Sequence, residues 1–445
     1  MATNHLTSST SPTSPAETGP ANGAETGAGT GAHTGTETGA GTGADVRNRL
    51  RAGTSTGVSD WQDRVLELAR TLHAHPETAF QETGAAAAIT ELLAGGGFTV
   101  EHGTGGLPTA FTATAGSGEL TVALCVEYDA LPEIGHACGH HLIAGASVAA
   151  ALALAPYADE LGITLKAIGT PAEEHGGGKA LLLEAGAFDG VGLALMVHPV
   201  QDGIGHNPAG STSQAVGRYR AVFRGRAAHA AAAPHQGVNA ADAATLSQVA
   251  VGLLRQQLPG DQRVALFVSE GGAATNIIPE RAVVDFECRA FTLPEYGTLL
   301  ERVRRCFEGA ALATGTELTV EATEPLYEPL VQDEALAGFW TAAMASFGRD
   351  VTSGGRLVGG STDMGNISQV IPSLHPWLSI PGAEAPIHSH AFAALADTPV
   401  AYDMMLEAAR ALARTVVDAA LDTEHRPRFV AAAHRRDGGE GVVTT

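Results

Sequence analysis

Cys138 and His140 stand two residues apart in the run Gly135-His136-Ala137-Cys138-Gly139-His140-His141. Thiolate and imidazole are donors that zinc accepts readily. On a regular helix, residues two apart point away from each other, so this pair can share an ion only where the backbone is irregular. Gly139 between them permits that irregularity. Adjacent carboxylates, Glu173 and Glu174, close Thr170-Pro171-Ala172-Glu173-Glu174-His175, and Gly176, Gly177 and Gly178 follow. His198 precedes Pro199, His388 lies in Ile387-His388-Ser389-His390-Ala391-Phe392, and Asp129 lies in Tyr128-Asp129-Ala130-Leu131-Pro132. Thiolate, imidazole and carboxylate are the side-chain types from which a metal centre with one position open for water is built. The rival chemistry is a cysteine nucleophile, Cys138 activated by His140 or His141.

The elements around these residues place them together. Leu120–Val126 reads as a core strand before the Cys/His loop, and Leu142–Ala155, nearly all Ala, Leu, Ile and Val, as a buried helix after it. Ile163–Gly169 reads as a strand that leads to the two glutamates, and Val191–Val197 as one that ends at His198. Helices Trp61–Leu72 and Gly84–Leu93 and strands Phe98–His102 and Thr109–Thr114 precede them. The alternation predicts an α/β layer with a largely parallel sheet. Sites in such sheets form beyond the carboxyl ends of the strands, so these donors converge at one edge.

Residues 211–325 follow a β-α-β-β-α-β order, the ferredoxin-like sandwich, and read as an insertion. The helix Ala335–Phe347, the polar loop Gly359–Ser368, the strand Leu374–Ile380 and the helix Pro399–Leu421 then resume the first pattern. The expected layout is a disordered Gly/Thr/Ala-rich tail over 1–57, a first catalytic part over 58–210, the insert over 211–325, a second catalytic part over 326–423 and a frayed tail over 424–445. Gly210–Ser213 and Pro325–Pro329 are the candidate hinges.

The formal net charge of −22 argues against a nucleic-acid backbone or an anionic membrane surface as partner. No apolar run reaches the ~18–20 residues of a spanning helix, and the start lacks a signal-peptide pattern. Cys125, Cys138, Cys288 and Cys306 are scattered rather than framework-like, which fits a reducing cytoplasm.

Tyr128–Pro132, Gly135–His140 and Thr170–Glu174 at their spacing resemble metallopeptidase family twenty, the aminoacylase–carboxypeptidase type. The likeness is to its amidohydrolase branch, with the indole-acetyl-amino-acid hydrolases, the p-aminobenzoyl-glutamate hydrolases and the β-alanyl-lysine type dipeptidases. It runs from about Val58 to Leu421. His141 departs from it, standing where many relatives carry Asp or Asn. The resemblance implies a zinc-peptidase-like α/β/α catalytic domain with an inserted ferredoxin-like α+β lid or dimerisation domain.

It further implies that Cys138, His140, Glu174, His198 and His388 hold two divalent ions, zinc foremost, with manganese or cobalt also suited. Glu173 is then the general base and Asp129 orients a ligand or the metal pair. His229, in Gly225-Arg226-Ala227-Ala228-His229-Ala230, would reach the substrate carbonyl, in relatives often from the partner protomer. Asn276 and Arg289 would bind a substrate carboxylate, and Ser361 and Asp363 would line the pocket. The expectation is a cytoplasmic, homodimeric amidohydrolase or dipeptidase acting on a dipeptide or N-acyl amino acid with a free carboxylate. A peptide-binding member without turnover is the other alternative.

Overall fold

The computed structural model describes residues 43–202, 207–351 and 360–437. Most of the expected N-terminal tail (1–42), the last residues (438–445) and Gly359 of the polar loop lie outside them. The first elements are α1 (Gly43–Asp60), α2 (Gln62–Ala74), α3 (Thr83–Gly95), β1 (Thr99–His102), β2 (Phe111–Ala115) and β3 (Leu120–Val126). There follow α4 (His140–Leu154), α5 (Ala158–Leu161), β4 (Ile163–Gly169), α6 (Gly178–Glu184), β5 (Leu193–Leu195) and β6 (His198–Val200). A second group comprises β7 (Ala215–Arg224), α7 (Ala240–Leu254), β8 (Arg263–Glu270), β9 (Arg281–Ala290), α8 (Leu293–Thr314) and β10 (Glu317–Ala322). The remainder is α9 (Glu334–Ser346), α10 (Met364–Ser368), β11 (Ser373–Leu374), β12 (Trp377–Ser379), α11 (His390–Ala396), α12 (Pro399–Leu421) and α13 (Arg426–Asp437).

The main sheet has the order β1-β2-β4-β3-β5-β11. Its centre is parallel (β4–β3, β3–β5, β5–β11), and β2 and β1 extend it antiparallel. Successive side chains of β3 alternate between two cores, as a strand of period two requires. Leu120, Val122, Leu124 and Val126 pack into the core shared with α1–α4, α9 and α12. Ala123 and Cys125 face the opposite core, which Leu182 of α6 and Met364 and Ile367 of α10 complete. Helices therefore cover both faces.

Every residue of α4 is buried. By length and composition His140–Leu161 would pass for a membrane span, yet 83% of its most apolar window is buried inside the protein, as expected of a core helix. Gly145 lets α12 approach, since a Cβ there would lie 2.2 Å from Met405 Sδ.

Four expectations need correction. Residues 43–57, placed in the tail by composition, belong to α1, which buries Leu50, Thr54 and Val58 four apart. Arg51 on α1 donates to Asp418 of α12 at 2.9 and 2.7 Å. Residues 426–437, expected to fray, form α13, with Phe429 fully buried and Arg426 donating to the Leu161, Gly162 and Ala420 carbonyls. The polar loop contains α10. Finally, two expected strands are each split. Val191–Val197 breaks after Leu195, and Leu374–Ile380 breaks at His375-Pro376 to give β11 and β12. Pro376 has no N–H to donate, and its carbonyl accepts from His198 N–H at 2.9 Å. His198 thus opens β6, in a separate two-stranded sheet with β12.

Strands β7–β10 form a second, wholly antiparallel sheet ordered β10-β7-β9-β8, with α7 and α8 between them in sequence. Phe223, Phe286, Phe307, Leu299 and Val303 are among the residues of its own core. Thr292 caps α8, its hydroxyl accepting from Glu295 N–H and donating to Glu295 Oε2. The Phe286 and Phe307 rings stack at 4.7 Å. Replacing Phe307 with Ala should remove about 3–5 kcal/mol. Because that core is separate, hydrogen exchange in this variant should quicken across β7–β10 while β3 and β4 stay protected. Equal loss of protection in both sheets would refute a separate core.

Candidate active site

The residues that follow β3 and β4 meet at the carboxyl ends of those strands. Gly139 takes a left-handed conformation (φ 80°, ψ 24°) at the N-terminus of α4. That irregularity turns Cys138 and His140 to the same side. Ala172 is also left-handed at φ 62°, a rare state for a residue with a Cβ, as are Gly176 and Gly177 that follow. This backbone swings Glu173 and Glu174 back over the strand ends.

Three overlapping groups bring ligand atoms within 4.8 Å of one another: Cys138 with His140 and His198, Cys138 with Glu174 and His388, and Glu127 with His140 and Glu173. His140 Nδ1 faces Asp129 Oδ1 at 3.0 Å, and Asp129 Oδ2 accepts from Glu174 N–H at 3.0 Å. Asp129 therefore orients a histidine and a glutamate at once. His140 Nε2 lies 3.2 Å from Glu127 Oε1 and 3.9 Å from both Glu173 and Glu174, yet makes no hydrogen bond. His198 Nδ1 donates to the Pro199 carbonyl at 2.7 Å, which leaves Nε2 at 3.4 Å from Cys138 Sγ. A histidine whose far nitrogen is fixed by an oxygen acceptor offers the other as a metal ligand. His388 Nε2 lies 3.3 Å from Glu174 Oε2, and its backbone N–H donates to Ala137. His390 is exposed and joins none of these groups.

The sequence profile of Peptidase family M20/M25/M40 matches residues 123–417. The chain belongs to this family. It is 35% identical to the Xaa-Arg dipeptidase of Mus musculus over 388 residues, 83% of this chain and 88% of that protein. It is 28% identical to one of the chains of the p-aminobenzoyl-glutamate hydrolase of Escherichia coli, across 81% of this chain and 90% of the relative. A dinuclear metal-binding M20 peptidase of Bacillus subtilis shares the fold with a TM-score of 0.60 at 22% identity, covering 81% of this chain and 98% of that one. An aminohydrolase from methicillin-resistant Staphylococcus aureus does so with a TM-score of 0.67 at 22% identity, covering 83% and 99%.

In this M20 chain the cleft over the donors is lined by Cys138, Glu173, Glu174, His198 and His388 from the main sheet's side. Arg218 and Arg289 line it from the second sheet, and Arg289 Nη1 lies 3.3 Å from Ser361 Oγ, which also lines it. Arg289 is held by Glu287 at 2.8 Å. His229 and Asn276 do not line the cleft. They sit together on an exposed loop pair of the second sheet, where Ala230 N–H donates to the Asn276 carbonyl. Asp363 must be moved from the pocket wall to the interior. It is fully buried, and both its oxygens accept from Lys179, from Nζ at 2.7 Å and from N–H at 2.8 Å. Lys179 Nζ also donates to Glu127, and all three side chains are fully buried.

Glu127 and Lys179 escaped sequence reasoning, though each left a trace. Glu127 is two before Asp129, so an extended segment turns both the same way. Lys179 is the one cation in the run Gly178-Lys179-Ala180-Leu181-Leu182-Leu183. His141 points elsewhere: its Nε2–H donates to the Ala396 carbonyl at 3.0 Å, and its ring packs on His73, His136 and Tyr402.

The electrostatics weigh against the thiol nucleophile. Burial, then Glu174, pushes the Cys138 thiol well above its usual range, whereas reactive thiols are depressed. His140, one of the two bases expected for it, already has Nδ1 at 3.0 Å from Asp129 Oδ1 and Nε2 at 3.2 Å from Glu127 Oε1. His141 points away. Burial, then Glu127 and Glu174, raises Glu173 well above an ordinary carboxyl, the direction a proton-shuttling carboxylate requires.

Glu82 supports the same loop from behind. It is fully buried, and its Oε1 accepts from Ala172 N–H at 3.0 Å. Burial raises its pKa from an ordinary 4.5 to about 7. The folded chain thus keeps a proton that the unfolded chain releases. The stability this contributes is complete below pH 4.5 and is lost as pH rises to about 7, at about 1.4 kcal/mol per unit. Glu82→Gln keeps the acceptor and removes the titration. Urea unfolding of the two proteins at pH 5 and pH 8 should show Glu82→Gln gaining on wild type by up to about 3 kcal/mol at the higher pH. A constant difference would exclude the shift.

Proposed function

We propose that the chain is a two-metal dipeptidase or amidohydrolase that cleaves the amide bond of a dipeptide or N-acyl amino acid with a free carboxylate. The observation that carries this reading is the gathering of donors from four separate chain segments into overlapping groups that share Cys138. The fit to cations is chemical as well as geometric. His140 Nε2 and Glu174 Oε1 are buried and lack hydrogen-bond partners, and such groups cost free energy unless a ligand satisfies them. In this reading Cys138, His140 and His198 hold one ion, and Cys138, Glu174 and His388 the other. The thiolate favours zinc, while the imidazoles and carboxylate also suit manganese or cobalt. When bound, such ions lower the pKa of water and polarise an amide carbonyl.

The protein's own groups do the rest. Glu173, which lines the cleft, accepts the water's proton and returns it to the leaving amine. Asp129 fixes the His140 ring. Arg289, with Ser361 beside it, binds the free carboxylate of the substrate, a match for a planar guanidinium. The similarity to Xaa-Arg dipeptidases supports a dipeptide as the substrate. Four free cysteines are consistent with a reducing compartment, and we place the reaction in the cytoplasm.

For Glu173→Gln the expected result is unchanged metal content and melting temperature with kcat lower by ~100- to 10,000-fold. Turnover of a dipeptide panel at the wild-type rate would remove Glu173 as the base. Chelation should abolish activity in the parent enzyme and added zinc should restore it. Activity that survives complete metal removal would instead favour the thiol.

We further propose that the enzyme works as a homodimer joined through the second sheet. Leu246, Val249 and Leu253 form an exposed apolar stripe on α7, and Phe267 is 61% exposed on the edge strand β8. An apolar stripe beside an open strand edge suits a second copy of the same surface. His229, exposed and outside its own cleft, would serve the partner's site, donating to the carbonyl oxygen as charge develops there. Leu253→Glu should yield monomers in sedimentation velocity and lose activity together with the dimer. A monomer of full activity would show that His229 is not needed in trans.

A further inference from the structure

The loop that carries Glu173 is held by the segment that leads from β10 back to the main sheet. Tyr327, 2% exposed, donates its hydroxyl proton to the Glu173 carbonyl at 2.7 Å and accepts from Gly177 N–H at 2.9 Å. One hydroxyl therefore bridges both ends of the turn that follows the base. Glu324, three residues earlier, accepts from Gly176 N–H at 3.0 Å. The fit is close: a Cβ on Gly177 would lie 2.9 Å from Tyr327 Cε1, and one on Gly178 would lie 1.8 Å from the Pro171 carbonyl oxygen.

The same segment is bound to the second sheet. Tyr327 and Val216 exchange backbone hydrogen bonds at 2.9 and 3.0 Å, and Thr323 N–H donates to the Arg218 carbonyl at 3.0 Å. The Arg218 side chain pairs with Glu324, lies over the Tyr327 ring at 5.6 Å, and reaches Glu287, the residue that holds Arg289. A continuous set of contacts thus runs from two arginines in the cleft wall, through Glu324 and Tyr327, to the Glu173 carbonyl and the turn that follows it.

We propose that Tyr327 is the positioning residue for Glu173, and that through Tyr327 and Glu324 the second sheet sets where the base stands. This inference rests on the reading of Glu173 as general base. Tyr327 lines the cleft beside Glu173, but its hydroxyl is spent on the loop backbone, on the Glu173 carbonyl and the Gly177 N–H. Its hydroxyl fixes the carbonyl of Glu173 in a backbone already strained at Ala172, a state that persists only where its surroundings over-determine it. A carboxylate displaced by about 1 Å from its working position can lose about 100-fold in rate. A substrate carboxylate drawing on Arg218 and Arg289 would shift Glu324 and Tyr327 with them, so closure over the substrate and alignment of the base are one motion.

The test uses the full-length, metal-loaded enzyme, a dipeptide substrate and four proteins: wild type, Tyr327→Phe, Glu173→Gln and the double variant. Tyr327→Phe should lower kcat about 10- to 100-fold, with KM within about twofold and metal content and melting temperature unchanged. Amide exchange at Gly177, which loses its acceptor, should quicken. In the Glu173→Gln background, the tyrosine change should cost nothing further, since both act on one step. Three outcomes would overturn the positioning role while Glu173→Gln remains impaired: an unchanged kcat, a raised KM at constant kcat, or penalties that multiply in the double variant. Wild-type turnover by Glu173→Gln would overturn the base assignment itself, and the positioning role with it.

Discussion

Buried negative charge is the constraint on which this molecule turns. Glu127, Asp129, Glu173 and Asp363 are all buried at the strand ends, and Glu174 is nearly so. Carboxylates taken from water must be paired or coordinate cations. Lys179 is fully buried among them and serves Glu127 and Asp363. His140 stands between Glu127 and Asp129. What remains, Glu173, Glu174 and the Cys138 sulfur, faces the cleft, where His388 pairs with Glu174. The protein has thus provided its own countercharge at the back of the site and left the front to ions from solution.

The scaffold explains how such a cluster survives. The surrounding core is densely apolar, with α4 buried on every side and β3 packed on both faces. It can hold Gly139, Ala172 and His388 at positive φ because neighbouring contacts leave little alternative. Glu82, at the start of α3, receives Ala172 N–H, while Ala137 receives His388 N–H. The donor set is thereby assembled by backbone hydrogen bonds before any ion arrives.

Much of this was legible in the sequence, for reasons that can be named. Cys138, His140, Glu173, Glu174 and His198 were visible because each follows an apolar strand, and strand ends in such sheets converge. Gly139 announced the irregular turn. Other features were hidden because they depend on partners distant in sequence. Asp363 looked like a pocket residue because its loop is polar, but Lys179, 184 residues away, draws it inside. Residues 43–57 looked like tail because Gly, Thr and Ser dilute the pattern, while a period of four in Leu50, Thr54 and Val58 is enough when α12 supplies the other half. The split at His375-Pro376 needed only the proline to be weighed, since a strand interior must donate.

The position of the second sheet follows from the same economy of contacts. It joins the main sheet at two crossings that lie side by side: Thr212 Oγ1 donates to the Leu330 carbonyl, and Ser213 Oγ accepts from Leu330 N–H. Each sheet keeps its own ladder and core, so bending at these crossings breaks neither. A rotation there would change the gap between Arg289 and the donor cluster. Narrowing that gap expels water, and in the lower dielectric every interaction among carboxylates, imidazoles and substrate strengthens. The donor cluster therefore belongs to the main sheet and its loops, and the two arginines of the cleft wall to the second sheet. Tyr327 and Glu324 link the two parts, so a change in that gap would also reach the loop that carries Glu173.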